Sequence, residues 1–468
     1  MTLYDTISIN SPEADELPTS HFLITTPLPN NCEIEMGNPS RNSIDHVSDT
    51  PEVDIKADKN KLSFWYTVMH LFIGGASPTI LNLPATFHQI GFIVGSVGSF
   101  IVVVLYAHCM HTIVSCEAIL CKQLNKTGMS YWEVLQYSFA KGPPRTRFMA
   151  KYAKLITYTV FIFIWGGGNA TYVLLIGENI QAVLLHMTGD KIDNRTIIMY
   201  LVIPLVLLCW IPNLKIMAFC SVLSNVLNAA SIIIILGITL HNFPFFHNCI
   251  AIGDLSKLPY FLGVILITVN GTGLLLSLKN EMKYPHKFST KCGVINVAYV
   301  PTGVLYAVFG LLCYGKYGPD TKDTVIANLP QNAYCSVLLT IYAFTIILFY
   351  PLVSYVTYEI FWNELVNYKK KIKQKFWANY SVKTINALFS IVLAYSIPNI
   401  SLFISLIGNV CVALDSIILP AIMEMLIYWG CSSFCLKAKI SMMIAVGSLL
   451  IVVGFEDVYS EFFRYDLK

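Results

Sequence analysis

The sequence predicts an all-α integral membrane protein of 11 transmembrane helices, two inverted five-helix repeats (5+5) followed by one further helix, with helices 1 and 6 broken. Three observations point there. The 468 residues are 55% hydrophobic and 13% charged, with a mean hydropathy of +0.61, whereas a soluble protein carries about 25% charged residues. Residues 62–116 contain no Asp, Glu, Lys or Arg, yet Gly74, Gly75, Ala76, Ser77, Pro78 and Thr79 interrupt the first part of that run. Five hydrophobic runs later, Asn270-Gly271-Thr272-Gly273 interrupts another, midway between Pro259 and Lys279.

Each apolar run long enough to cross a bilayer, about 20 residues, is taken as one helix. Helix 1 (64–90) carries the first interruption and ends at Gly91, where helix 2 (92–120) begins. Helices 3 (152–186), 4 (196–213) and 5 (216–240) complete the first half. Helix 6 (259–279) opens at Pro259 and carries the second interruption; helices 7 (292–315) and 8 (333–362) follow. Helix 9 (382–398) is short and must break at Pro398, leaving a tight turn into helix 10 (401–429), and helix 11 (438–463) closes the domain at 62–463.

Lys and Arg concentrate in cytosolic loops, and this sets the orientation. With the N-terminus in the cytosol, the interior loops 121–154, 213–215, 279–291, 363–383 and 430–439 hold 20 basic residues, against seven in the exterior loops and the C-terminus 464–468. The run Lys369, Lys370, Lys371, Lys373 and Lys375 is the clearest marker. The sequon Asn194-Arg195-Thr196 then falls outside, where Asn194 is a candidate for N-glycosylation; Asn125-Lys126-Thr127 faces the cytosol.

Residues 1–61 hold 11 acidic and 4 basic residues and no periodic apolar face, which predicts a disordered acidic cytosolic tail. They lack the basic and apolar regions of a secretory signal peptide, so helix 1 is expected to serve as its own insertion signal. Most of the 13 cysteines lie inside apolar runs and behave as small buried hydrophobes. Cys249 and Cys335 lie near predicted exterior loops and could pair, although free thiols are the expectation. No Cys/His spacing suggests zinc, and there is no carboxylate cluster for a metal, no P-loop and no nucleophile–base arrangement. Metal, cofactor, nucleic-acid and enzymatic readings therefore have no support.

Hydrocarbon cannot hydrogen-bond a freed N–H or C=O, so an interruption at membrane depth survives only beside protein or a water-filled cavity. Paired interruptions in corresponding helices of two halves mark the substrate site of inverted-repeat transporters. The N-terminal end of a half-helix is electropositive and suits a carboxylate; the carbonyl end suits an ammonium or a cation. A zwitterionic amino acid matches both. Gly74, Gly75, Ser77, Thr79, Asn270, Gly271, Thr272 and Gly273 are the expected substrate contacts.

Several stretches make the chain resemble the proton-coupled amino acid transporters of the amino acid/auxin permease family, insect members most of all. They are His70-Leu71, Leu83-Pro84-Ala85-Thr86-Phe87 up to Gly91, Asn213-Leu214-Lys215, and Leu278-Lys279-Asn280-Glu281-Met282-Lys283-Tyr284-Pro285-His286-Lys287-Phe288. Gly315-Lys316-Tyr317-Gly318, Asn328-Leu329-Pro330, Tyr358-Glu359-Ile360, Ser405-Leu406-Ile407-Gly408 and Leu419-Pro420-Ala421 up to Glu424 complete the set. The resemblance covers about residues 62 to 463. It implies symport of small neutral amino acids with protons, at the plasma membrane or a lysosomal or vacuolar membrane. It also implies a proton-coupling role for His70, a buried ionisable group of the kind that is functional within a span.

The chain departs from the family pattern at both interruptions. Ser77-Pro78-Thr79 stands where the family has Gly-Thr-Gly, and Val269-Asn270-Gly271 where it has Phe-Glu-Gly. Asn270 cannot ionise, so coupling that needs a carboxylate there is lost or moved. These departures motivate an alternative function, a transport-inactive amino acid sensor at the membrane. Glu178 and Glu359 are expected in structural pairs or facing water, and Glu424 in a structural role. Asp415, in helix 10, is outside the family pattern and without an assigned role. Tyr342, Phe344, Phe349 and Tyr350 in helix 8 are expected to pack.

Overall fold

The computed structural model describes residues 61–189, 192–211, 214–241, 248–330, 333–368, 375–396, 400–430 and 433–465. Three expectations fall outside this set: the acidic tail except Lys61, the lysine run except Lys375, and the end of helix 9 at Pro398.

Helix 1 is two pieces, α1 (Phe64–Gly75) and α2 (Leu83–Ile90), joined by a 3-10 turn over Pro78–Asn82. Then come α3 (Phe92–Leu124), α4 (Tyr131–Lys141), α5 (Ala153–Thr188), α6 (Asn194–Cys209) and α7 (Leu214–Leu240). Helix 6 is α8 (Leu258–Val269) and α9 (Thr272–Glu281), followed by α10 (Val294–Tyr317), α11 (Ala333–Tyr368) and α12 (Lys375–Ser396). The tenth run consists of α13 (Ile400–Leu406), π-helical stretches at Ile407–Val412 and Leu414–Ile418, and α14 (Leu419–Ile427); α15 (Phe434–Tyr465) follows. Eight helical stretches among the described residues are long and apolar enough to cross a membrane, and Asn194–Cys209 is a shorter apolar one. α10 packs against α3, α1 and α2, while α11 packs against α5, α7 and α12; α8 lies against α13 and the π-helical stretch after it.

Both interruptions differ from the sequence expectation. α1 runs through Gly74 and Gly75 and ends where the Ala76 N–H donates to the carbonyls of Phe72 and Ile73, at 3.0 and 3.1 Å. Pro78, which has no N–H to lose, then opens the 3-10 turn. The irregular stretch is therefore 76–82 rather than 74–79. In helix 6 the break is confined to Asn270 and Gly271, and Thr272 and Gly273 already belong to α9.

The loop 121–154 contains a helix that hydrophobic runs alone do not reveal. In α4, Ser130 and Glu133 stand at capping-box spacing, and the Glu133 carboxylate accepts from the Ser130 N–H and Oγ, both at 2.8 Å. The tenth run, expected as one regular helix, widens at Ile407–Val412 and Leu414–Ile418. Gly408 there lies so close to the Gly263 carbonyl of α8 that a Cβ would overlap it. Asn409 donates across the same contact to the Pro259 carbonyl at 2.7 Å.

At the corner between α2 and α3, Gly91 adopts φ +85°, and a Cβ there would lie 2.5 Å from the Ala251 carbonyl oxygen. Phe92 and Ile93 donate to the carbonyls of Ile250 and Ala251, while Gly253 and Asp254 donate back to Ile90 and Gln89. The segment 250–254 is thereby laid over the end of helix 1. Asp254 accepts from the Ser256 Oγ–H at 2.7 Å and its N–H at 2.9 Å, which hold its carboxyl below the usual range. Its charge therefore persists at acidic pH.

The long basic motif after helix 6 ties the far ends of the two broken helices together. Leu62, just before α1, donates to the Glu281 carbonyl at 2.9 Å and accepts from the Lys283 N–H at 3.0 Å. Lys279 pairs with Glu117 of α3, and Glu117 also accepts from the Met129 N–H at 3.3 Å. Asn280 donates to the Met129 carbonyl at 3.2 Å, and Met282 and Phe288 are fully buried. Cys249 Sγ faces the Tyr314 carbonyl at 3.6 Å; it is not joined to Cys335.

Candidate functional site

Helix ends freed inside a membrane need partners, and here hydroxyl and amide side chains supply them. Tyr306 of α10 donates to the Gly75 carbonyl. Asn228 of α7 donates to the Ala76 carbonyl at 2.6 Å, and Tyr342 of α11 to the Pro78 carbonyl at 2.8 Å. Three separate elements thus converge on one short stretch of backbone.

Ser77 and Thr79, the side chains that stand in place of glycines, turn toward helix 6. Their hydroxyls are 2.8 Å apart; Thr79 donates to Thr268 Oγ1 at 3.0 Å, and Ser77 is 3.3 Å from the Thr268 carbonyl oxygen. Thr268 in turn donates to the Val264 carbonyl at 2.5 Å. Thr268 lies two residues before Asn270, so the two interruptions meet. The hydroxyls bind one broken helix to the other rather than simply crowding the gap.

On the α9 side, the Gly271 N–H donates to the Tyr106 hydroxyl at 2.8 Å, and that hydroxyl lies 3.1 Å from Thr272 Oγ1. Asn270 Oδ1 caps the start of α9, 3.4 Å from the Thr272 N–H and 3.3 Å from its hydroxyl. Gly273 faces Trp165 and Phe161 of α5, and a Cβ there would stand 3.3 Å from the Trp165 Nε1. Tyr299 meets Tyr106 edge-on at 5.3 Å.

The predicted residues divide by burial into three groups. Ser77, Asn270, Gly271 and Gly273 are partly accessible, whereas Gly75, Thr79 and Thr272 are buried, Gly75 against Thr302. Gly74 is exposed with open space where a Cβ would stand. His70 is half-buried in α1, five residues or about 7 Å before the end of that helix, with the Tyr66 ring 6.5 Å away. Asn194 opens α6 with its amide oxygen buried against Gly177 of α5.

Sequence reasoning missed Tyr106, Asn228, Thr268, Tyr299 and Tyr306, polar groups within apolar spans. For Asn228 and the tyrosines, a polar group at membrane depth was the available signal. Tyr342 packs in the core as expected, and its hydroxyl also serves the break. Tyr350 does pack, with its hydroxyl 2.8 Å from Ser390, and Phe349 lies edge-on to Tyr172 at 5.7 Å, while Phe344 is exposed. Glu424 pairs with Lys439 at 2.6 Å. Glu178 and Glu359 are half-buried and make no ion pair among the described residues.

The profile of the family described as transmembrane amino acid transporter protein matches residues 60–460. The chain belongs to that family. It is a multi-pass membrane protein of the amino acid/auxin permease group, whose members are transporters and not enzymes. It is 26% identical over 365 residues to the proton-coupled amino acid transporter-like protein pathetic of Drosophila melanogaster, covering 78% of this chain and 77% of that one. It is 25% identical over 366 residues to amino acid transporter AVT3A of Arabidopsis thaliana, covering 77% and 80%. Among solved structures, the inward-facing conformation of Mhp1 superposes with a TM-score of 0.56 at 10% identity, over 86% of this chain and 92% of that one. This last likeness concerns the fold alone.

Proposed function

We propose that the protein is a secondary active transporter that moves small neutral amino acids in symport with protons. The 11-helix, 5+5 inverted-repeat arrangement, with a cytosolic N-terminus and tail at 1–61, belongs to the same reading. So does residence in the plasma membrane or a lysosomal or vacuolar membrane. One observation carries it: the Thr79 hydroxyl reaches Thr268, two residues before Asn270, so both interruptions share one place. There the carbonyl end of α1 suits an ammonium, through the second lone pairs of carbonyls that already accept from Tyr306 and Asn228. The electropositive N-terminal end of α9 suits a carboxylate that would compete with Tyr106 and Asn270. Gly74, Gly75, Ser77, Thr79, Asn270, Gly271, Thr272 and Gly273 form the substrate contacts in this reading, and His70 takes part in proton coupling.

The test is uptake of labelled alanine, glycine and proline into proteoliposomes at about pH 5.5 and about pH 7.5, the window in which histidine titrates. Saturable uptake, greater on the acidic side, is expected for the wild type, with the acid stimulation reduced in His70→Ala. Binding of these amino acids without flux by the wild type would replace transport with the sensor reading.

N-glycosylation at Asn194 accompanies the exterior placement of the α5–α6 connection, and it needs the amide to swing away from Gly177. Endoglycosidase treatment of protein from eukaryotic cells should shift the wild type on a gel and leave Asn194→Gln unmoved. An unshifted wild type removes the assignment.

A further inference from the structure

Asp415 lies in the π-helical stretch Leu414–Ile418 and is 1% exposed. Among the described residues, neither of its carboxylate oxygens has a hydrogen-bond partner and no cation pairs with it. The groups facing it are the hydroxyls of Thr272, at the start of α9, and Tyr131, at the start of α4. Tyr131 cannot satisfy it, because its hydroxyl proton is donated to Asp415's own backbone carbonyl at 2.7 Å. The other titratable neighbours are Tyr106 of α3, beside Thr272, and Cys411 one turn earlier. α5 presents Phe161 and Trp165 near the start of α9. On α14 and α15 the ionic groups are Glu424 and Lys439, paired with each other nine residues, or about 13 Å, further along the helix.

A carboxyl this deep, with no cation beside it and no hydrogen bond formed, carries a high desolvation cost as an ion. A structural acid would have a partner, as Glu117 and Glu424 do. π-helical distortions recur at functional sites, and this one directs the acid toward the broken part of helix 6. Thr272 connects the two. Its hydroxyl lies 3.3 Å from Asn270 Oδ1 and 3.1 Å from the Tyr106 hydroxyl while also facing Asp415. That hydroxyl has one proton to give. It can be donated to Asn270 while Asp415 is neutral, and turned to the carboxylate once Asp415 ionises, so the charge state of Asp415 reaches the amide that caps α9.

We propose that Asp415 takes up and releases the transported proton at the level of the broken helices. The inference rests on the transport reading above and gives it the carboxylate that Asn270 cannot be. On the loading side a hydronium transfers its proton to an Asp415 oxygen and leaves as water. On the other side the O–H bond breaks, water accepts the proton, and the carboxylate is regenerated. The electropositive end of α9 stabilises the charged form while the site is open.

The test combines infrared difference spectra between about pH 5.5 and about pH 7.5 with transport by the same protein in proteoliposomes. The wild type should show a protonated-carboxyl C=O band that Asp415→Asn removes and Asp415→Glu shifts. Asp415→Asn should keep exchange of labelled amino acid across the bilayer and lose stimulation by an inward proton gradient; Asp415→Glu should retain both. The proposal is overturned if the band survives in Asp415→Asn, or if gradient stimulation persists there. An equal fall in exchange and gradient-driven uptake, which marks a structural role, also overturns it, as does a raised KM with unchanged acid stimulation. If the wild type moves no amino acid, the transport reading fails, and the infrared band still decides whether Asp415 titrates. If Asp415→Asn does not fold, the shifted band of Asp415→Glu decides the same point.

Discussion

Gly408→Val should destabilise the protein by about 3 kcal/mol or more, the upper end of what overpacking costs. A Cβ at this position would fall on the Gly263 carbonyl, which is backbone and cannot rotate aside as a side chain could. The approach is tight from the other side as well, because a Cβ on Gly263 would stand 2.8 Å from the Ser405 Cα and carbonyl oxygen. Small residues allow such close contact between membrane helices, where dispersion rather than water exclusion holds helices together. Separating α8 from the π-helical stretch would also break the bond from Asn409 to the Pro259 carbonyl. Thermal unfolding in detergent checks this, with Gly168→Ala as the control. Nothing lies within 4 Å of a Cβ at Gly168, and alanine there should be neutral or stabilise by about 0.5–1 kcal/mol. Equal melting of Gly408→Val and the wild type would show that the two backbones are not in contact.

Lys279→Met should cost about 3–5 kcal/mol, because it leaves the Glu117 carboxylate buried without its cation. The Glu117 side chain is 1% exposed and that of Lys279 12%. The Met129 N–H at 3.3 Å and the Cys121 thiol at 3.2 Å remain as donors, but neither carries charge. Glu117→Gln should be milder, since an amide carries no uncompensated charge. The double variant Glu117→Leu/Lys279→Met should recover most of the loss of Lys279→Met, because an apolar pair of similar volume is often as stable as a buried ion pair. A double-mutant cycle on thermal stability with Lys279→Met and Glu117→Leu as its single variants measures this, and simple additivity of their two losses would refute the coupling. The pair also joins α9 to α3, so the single variants should loosen the end of helix 6 at which Leu62 bonds to Glu281 and Lys283.

Much of the fold was legible because hydrocarbon imposes length and polarity on any helix that crosses it. The apolar runs lie close to the observed helices, with the break at Gly91 and the second interruption at Asn270–Gly271. The misreadings have local causes. Gly74 and Gly75 look like helix breakers in the sequence, yet glycine inside a membrane helix is tolerated, and the helix ends where Pro78 approaches. α4 escaped notice because it is amphipathic and short, so no long apolar run marks it. The π-helical stretch in the tenth run leaves no trace in hydropathy, since the residue types are those of any apolar helix.

The candidate site was legible as a place and not as a set of partners. Ser77 and Thr79 stand out in the sequence as departures from the family's Gly-Thr-Gly, and only the structure places Thr268 opposite them. Thr268 is unremarkable in sequence, a β-branched residue in a β-branched run. Asp415 stood out as an unassigned acid, but its significance depends on what surrounds it, and those groups come from residues 106, 131 and 272.

The sequence by itself determined that the chain crosses a membrane repeatedly, that two of its helices are broken, and where those breaks fall to within a few residues. These follow from the cost of unpaired backbone and charge in hydrocarbon, which acts on each segment separately. The tertiary structure alone decided which polar groups satisfy the freed carbonyls, that Lys279 belongs to Glu117, and that Asp415 faces the start of α9 with no cation beside it among the described residues. Those facts depend on distance between residues more than a hundred positions apart, and a buried charge takes its meaning from the groups within a few ångströms of it.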